Sequence, residues 1–419
     1  MTWARAALAI GVAVAVAAVL VSGGRVTGPE APEFLRIAGA GEGGRTVVLD
    51  SFGKVVALRQ PDARARADLR WVKEARPLGE RAPRWARRMQ ARSLLVLRAL
   101  TYPNGAAIAG ARDGWAYVWP RDAGAVAVAF AAAGYRAEAR RVASFLRGLD
   151  LDAAARFYPD GSPVPGRDAQ GDARGWVKAA SLAARVSASA GGVSEVNYPY
   201  GGLTSLTPPR QPLSSPHQDR QWRDRADYQE KDADDYIANA IAAAGAAAVG
   251  RPGAPAAPAE PALLPEFGGP GGVLVRRAGN PESGVDSAVA WAVRPFPHPA
   301  LFPAARRSLH RLLDERRGRF GIVPSEDWPE DDPWTAPTAW TAWAFAAPAA
   351  SGGRAPPPGP TAAEDRRTAL GLMNNLRRAA TPLGLLPERV DAVTGAPRST
   401  TPLAWSHAFA ILALRELWP

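Results

Sequence analysis

Cysteine is absent from this 419-residue chain. A disulfide framework, a thiolate zinc site and a lipid anchor on cysteine are therefore all excluded. Histidine is scarce. His217, His298, His310 and His407 stand far apart, and none of them forms the HExxH or paired spacing of a metal site. No GxSxG elbow supports a Ser-His-Asp nucleophile, and no DDxxD segment supports a terpene-cyclase-like site. No apolar run reaches the roughly 20 residues of a full bilayer span. Acidic residues are outnumbered, 40 against 51 Lys and Arg, which leaves a formal charge of +11 and makes anionic partners worth testing. The excess is scattered, however. Its densest cluster is Arg81, Arg84, Arg87, Arg88 and Arg92, which reads as the solvated face of a helix whose other face carries Trp85, Met89, Val96 and Leu100. No nucleic-acid-binding motif accompanies it, and no nucleic-acid partner is expected.

What is present is a chain that can bury a large core, with 47% hydrophobic residues. Ala6 to Ser22 is a continuous small and apolar run behind Arg5, the form of a signal peptide or signal anchor. Residues 1–24 are expected to export the rest, either secreted or tethered through residues 6–22 to the outer face of the cytoplasmic membrane. Residues 25–82 read as a linker and a short N-terminal segment. Within it Arg45 to Leu58 forms a β-hairpin, two β-branched runs around Asp50, Ser51 and Gly53. Gly39-Ala40-Gly41-Glu42-Gly43-Gly44 satisfies GxGxxG by letter, but a strand follows where a dinucleotide site needs a helix, so it reads as a flexible linker.

Helical periodicity governs residues 83–419. It predicts helices near 84–100, 123–134, 136–149, 172–188, 233–249, 284–293, 300–316, 335–347, 362–380 and 402–417, with no strand among them. Arg251 to Gly272 and Pro348 to Pro360 are low-complexity loops. Several helices are apolar on nearly every side, such as the last, with Leu403, Trp405, Phe409, Ile411, Leu412 and Leu414. Such helices need burial all round, which points to two concentric layers: an all-α fold, an α/α barrel.

Four segments carry candidate chemistry. The first is Arg112-Asp113-Gly114-Trp115-Ala116-Tyr117-Val118-Trp119-Pro120-Arg121-Asp122. Asp122 suits an N-cap for the Ala-rich helix that follows. A cap leaves three aromatics and an arginine on one loop unexplained, whereas a sugar needs planar rings against its apolar face and charged groups on its hydroxyls. The second runs from Leu386-Pro387-Glu388-Arg389-Val390-Asp391 to Pro402-Leu403-Ala404-Trp405-Ser406-His407, with Glu388 as a loop carboxylate and Thr401-Pro402 as a cap and first-turn proline. The third, Asp227 to Ala240, is an acidic helix start containing Glu230. The fourth, Gly321 to Trp334, holds Trp328 and an acidic run, Glu326 to Asp332, that lacks an EF-hand pattern and reads as a solvated loop. Trp334 and the following Trp340 suit either a pocket or the core.

From Arg92 to about Leu417 these segments, in this order, resemble the glucoamylase-like glycoside hydrolase family 15. The resemblance implies an (α/α)6 barrel and an exo-acting, inverting hydrolase that releases terminal glucose from an α-glucan or α-glucoside. It assigns Trp119, Arg121 and Asp122, with Tyr117, to the subsite of the non-reducing terminal glucose, and Trp328 and Trp334 to the remaining pocket. Glu388 becomes the general base and Glu230 the general acid, with Asp227 and Glu195 as alternatives for the acid. The implied partner is an α-linked oligosaccharide or polysaccharide, and the chemistry calls for no cofactor or metal. Three positions depart from the family pattern: Gln229 replaces a Trp, Arg389 a Gln, and Ile322 an Arg that contacts the sugar. A different reading follows from these departures, a membrane-tethered carbohydrate-binding protein on a catalytically weakened barrel.

Overall fold

The computed structural model describes residues 35–50, 53–112, 114–189, 236–249, 265–347 and 362–419. The proposed export segment, Glu195, Asp227, Gln229 and Glu230 lie outside them. The chain opens with three antiparallel strands in order, β1 (Leu35–Ile37), β2 (Thr46–Leu49) and β3 (Val55–Arg59). The predicted hairpin is β2 and β3, pairing Val47 with Leu58 and Val48 with Ala57. β2 is buried along its whole length, and β3 is an edge strand that exposes Val55, Val56 and Leu58.

The glycine-rich stretch is not a flexible linker. It is the tight connection from β1 to β2, closed by a 3-10 turn at Glu42–Gly44 and a bond from Gly41 N to Arg45 O of 2.9 Å. The same N-terminal region also contains a helix that the periodicity did not predict, α1 (Ala63–Trp71). Only Ala65 and Trp71 of α1 are buried, too few apolar positions to register as a stripe, although Asp62 caps it by accepting from Ala65 N at 2.7 Å.

The helices that follow fall into two layers. They are α2 (Arg84–Ala99), α3 (Pro120–Ala132), α4 (Arg136–Arg147), α5 (Ala173–Ser189), α6 (Ile237–Val249), α7 (Phe302–Arg316), α8 (Thr335–Ala346), α9 (Ala362–Ala379) and α10 (Ala404–Leu417). The predicted helix at 284–293 is a six-residue 3-10 helix, Ser287–Ala292, capped by Asp286 on Ala288 N at 2.8 Å. Pro295 follows closely and disfavours helical backbone at Arg294. One two-residue hairpin, β4 (Arg317–Gly318) with β5 (Gly321–Ile322), interrupts the helical region where none was expected.

Neighbour contacts run α3 to α5, α5 to α6, α6 to the 3-10 helix, then to α8, to α10 and back to α3. Six inner segments thus close a ring. α3, α8 and α10 are buried on almost every side, as their Ala- and Trp-rich sequences require. The outer helices α2, α4, α7 and α9 are amphipathic; α4 buries Ala139, Val142, Ala143 and Leu146 and turns its arginines out. Aromatic rings fill the middle of the ring. Trp176 meets Trp291 at 5.2 Å, Trp291 meets Trp340 at 5.4 Å and Trp340 meets Trp405 at 5.2 Å, all edge to face. This fixes Trp340, 1% exposed, as a core residue. α3 and α5 approach closely because Gly124 has no side chain: a Cβ there would lie 2.9 Å from Trp176 Cβ.

Arg81, just ahead of α2, and Arg84, Arg87 and Arg88 at its start are solvated as expected, but Arg92 is not. It donates to Gly39 O at 2.9 Å in the seam between α2 and the N-terminal sheet, and burial lowers its guanidinium to about 10. The β2-β3 turn also docks onto the barrel. Gly53 has φ of +79°, and a Cβ on it would sit 2.3 Å from Thr401 O. Gly53→Ala combines left-handed strain with a backbone clash and is expected to cost about 2 kcal/mol or more in urea unfolding; an unchanged midpoint would mean that the turn is not seated there.

Candidate active site

Pro120 stands at the first helical position of α3, a place its fixed φ and missing N–H favour. The N-cap is Trp119, so Asp122 is not the cap; it lies in the first turn, where its charge meets the positive end of the helix. Starting the helix three residues early buries the polar end of the motif. Arg121 is 5% and Asp122 4% exposed. The guanidinium donates from Nε to Asp122 Oδ2 at 3.1 Å and reaches Asp172 Oδ2 at 3.8 Å from its far nitrogen. Its Cζ lies over the Trp405 ring, 4.5 Å from the centroid.

The aromatic part of the loop is pinned by Val118, which exchanges two backbone bonds of 2.8 Å with Phe157. Tyr117 packs edge-on against Trp119 at 6.0 Å and Tyr158 at 5.5 Å, with Arg156 over both Tyr117 and Trp119. Tyr117 keeps partial exposure while Trp119 is nearly buried. These rings form a packed wall.

Glu388 comes to this wall from the other end of the chain. Trp115 Nε1 donates to its Oε1 at 3.3 Å, and the Ser399 hydroxyl donates to its Oε2. The residue is half-buried. Burial pushes its carboxyl above the usual range, opposed by the Ser399 and Trp115 hydrogen bonds. The nearby Asp122 charge pushes it further up and Arg112 draws it down. The Trp115 hydrogen bond brings the first and second candidate segments together.

The loop that carries Glu388 is held at each backbone polar group. Leu386 N donates to His407 Nε2 at 3.0 Å, and Leu386 O accepts from Leu403 N at 2.9 Å. Pro387 O accepts from the Thr335 hydroxyl. Glu388 N donates to Thr400 O and its O accepts from Thr335 N, both at 3.0 Å. The helix after this loop begins at Ala404 with Leu403 as N-cap, so Thr401-Pro402 is neither its cap nor its first turn.

Trp334 is the N-cap of α8, half-exposed beside Glu388, and packs edge-on against Trp328 at 5.2 Å. The acidic run before it is exposed at Asp327, Glu330 and Asp331, as a solvated loop should be, and is also paired. Glu326 pairs with Arg311 at 2.7 Å and Asp327 with Arg276 at 2.7 Å, while Glu330 and Asp332 take Arg389. Arg389 therefore points its charge at this loop, and Ile322 is fully buried in β5. Among the described residues no cluster of three metal-ligating side chains occurs, and no helix is long and apolar enough to cross a membrane.

Trp115, Ser399, Asp172 and His407 belong to this site without having been singled out as site residues from sequence. Trp115 was one of the three loop aromatics and His407 ended the Glu388 segment; Ser399 and Asp172 sit outside any recognisable local pattern.

No protein-family profile and no curated protein matches the chain. Solved structures do. A wild-type glycosidase aligns with a TM-score of 0.56 at 20% identity, over 85% of this chain and 100% of its own. A glucoamylase from Saccharomycopsis fibuligera aligns with a TM-score of 0.57 at 14% identity, over 81% of this chain and 96% of its own. A bacterial glucoamylase complexed with acarbose gives 0.54 at 16% identity, over 83% of this chain and 57% of its own. At these identities the likeness is one of fold, and it agrees with the closed ring of helices: the chain has the (α/α)6 fold of glycosidases and glucoamylases.

Proposed function

We propose that the protein is an exported glycoside hydrolase that removes terminal glucose from an α-glucan or α-glucoside with inversion. The observation that carries this reading is Glu388, half-buried, with one oxygen held by Trp115 of the aromatic loop and the other by Ser399. A bacterial glucoamylase of this fold is solved with acarbose and a variant of the similar glycosidase with glucose, which suits a glucose-sized ligand here.

The terminal sugar lies against Trp119 and Tyr117, with Arg121 and Asp122 on its hydroxyls. Glu388 takes a proton from a water whose oxygen bonds to the anomeric carbon as the bond to the leaving oxygen breaks. A second carboxyl, assigned to Glu230, gives its proton to that oxygen; in an inverting pair the two carboxyls stand roughly 6.5–9.5 Å apart, which leaves room for the water. Trp115 and Ser399 occupy one lone-pair direction on each Glu388 oxygen and leave others for water. A screen against α-linked disaccharides, with NMR of the fresh product, tests the reading. Release of β-glucose supports it, and an α-anomer alone would overturn inversion.

Arg389, committed to Glu330 and Asp332, and the buried Ile322 favour a second reading, sugar binding without turnover. Saturable oligosaccharide binding with no product formation would select it.

The acid side of the pH profile supplies another test. The base must be ionised, and burial sets its ionisation above the ordinary glutamate value. Ser399→Ala removes the largest hydrogen-bond contribution that lowers it, so the acidic limb of kcat/KM is expected to move to higher pH. A limb that stays put or moves down would mean that Glu388 is not the group titrating.

A further inference from the structure

We propose that His407 is the positioning residue for Glu388: a neutral imidazole on the first turn of α10 that fixes the Glu388 loop relative to the sugar wall. This rests on the hydrolase reading for its kinetic consequences and on geometry alone for the clamp.

The ring is fully buried between two partners. Its Nε2 receives the Leu386 N–H at 3.0 Å, and its Nδ1 meets the Ser93 hydroxyl on α2 at 2.9 Å. A backbone N–H can only donate, so Nε2 must be bare and the ring proton must sit on Nδ1, donating to Ser93. Burial, with the charge of Arg92, lowers the ring to about 3 and keeps it neutral over the pH range in which a carboxylate base operates. An imidazolium would carry a proton on Nε2 and oppose the Leu386 N–H.

The same helical turn serves both halves of the site. Trp405 lies under the Arg121 guanidinium at 4.5 Å. Ser406 shares a 2.8 Å hydrogen bond with the Thr335 hydroxyl, which in turn holds Pro387 O. His407 holds Leu386 N. Three consecutive residues of α10 therefore set the base loop and the wall against each other. Glu388 follows Leu386 by two residues, so a small rotation at the clamp displaces the carboxylate. A displacement of about 1 Å costs on the order of 10²-fold in rate without removing any group that binds the sugar.

The test compares His407→Leu, His407→Gln and Ser93→Ala with the wild type on an α-glucoside that the wild type hydrolyses. His407→Leu orphans the Leu386 amide and is expected to lower kcat by about 10²-fold with KM within about threefold. His407→Gln offers an amide oxygen to the same N–H and is expected to recover roughly tenfold of that loss. Ser93→Ala, which removes only a hydroxyl, is expected to lower kcat by about tenfold. If His407→Leu does not fold, Ser93→Ala and His407→Gln decide, and wild-type kcat in both overturns the proposal. So does a proportional loss in kcat and KM, or no difference between Gln and Leu.

The ring-nitrogen spectrum of wild-type His407 is read independently of turnover. A protonated Nδ1 and bare Nε2 that hold from about pH 5 to 8 support the clamp. A protonated Nε2 overturns it, even in an active enzyme. The Nδ1-protonated ring in a protein with no hydrolytic activity would instead remove the hydrolase reading and leave the clamp standing.

Discussion

Glu388→Gln is expected to lower kcat by about 10²–10⁴-fold and to leave the affinity for the terminal sugar close to that of the wild type. The substitution keeps the shape of the side chain. Its amide oxygen still accepts from Trp115 Nε1, and the Ser399 hydroxyl can rotate to accept from the amide nitrogen, so neither donor is orphaned. What disappears is the capacity to take a proton from water. In the proposed reading sugar binding rests on the other wall, with Tyr117, Trp119, Arg121 and Asp122, which the substitution does not touch. Steady-state kinetics beside calorimetric binding of a non-hydrolysed oligosaccharide measures both quantities. Activity within about twofold of the wild type would remove Glu388 as the base, and loss of binding with kcat intact would move it to a purely recognising role. Glu388→Ala is the contrast: it leaves Trp115 and Ser399 without their acceptor and is expected to lose stability as well as turnover.

The barrel was legible because its inner helices must be apolar all round and its outer helices on one side only, a difference readable from α10 and α4. Boundaries were legible to within a few residues where periodicity was strong. They failed where the cap is an apolar residue that makes no side-chain bond, as at Trp119 and Leu403, which cap α3 and α10 ahead of and behind the expected positions. α1 stayed hidden because a helix with two buried positions has no stripe, and its cap residue Asp62 alone was too common a signal. The ends of the site were legible as motifs, the arrangement that makes them one site less so. Trp115 precedes Glu388 by 273 residues and Ser93 precedes His407 by 314, and no local pattern encodes distances of that kind. Ser399 and Asp172 are single polar residues whose importance is given by what folds against them. Trp340 illustrates the converse, an aromatic beside a candidate loop that packing commits to the core.

Arg121→Met is expected to destabilise the folded protein by about 3–5 kcal/mol and to abolish detectable sugar binding. The guanidinium is the cation between two carboxylates, Asp122 and Asp172, both almost without solvent contact, and it stacks on Trp405. Methionine fills much of the same volume and removes the charge, so the cost measured is chiefly that of leaving buried carboxylates without this partner rather than of a cavity. Arg121→Lys separates charge from shape. It retains a cation but loses the fork that reaches both carboxylates and the flat face against Trp405, and is expected to fall between methionine and wild type in urea unfolding. Pairing Arg121→Met with Asp172→Asn neutralises one of the exposed liabilities and should recover part of the stability, while binding stays lost because the group facing the sugar is still missing. If Arg121→Met instead unfolds within about 1 kcal/mol of the wild type, the carboxylates are held by other groups, and Arg121 is at this site for the ligand alone.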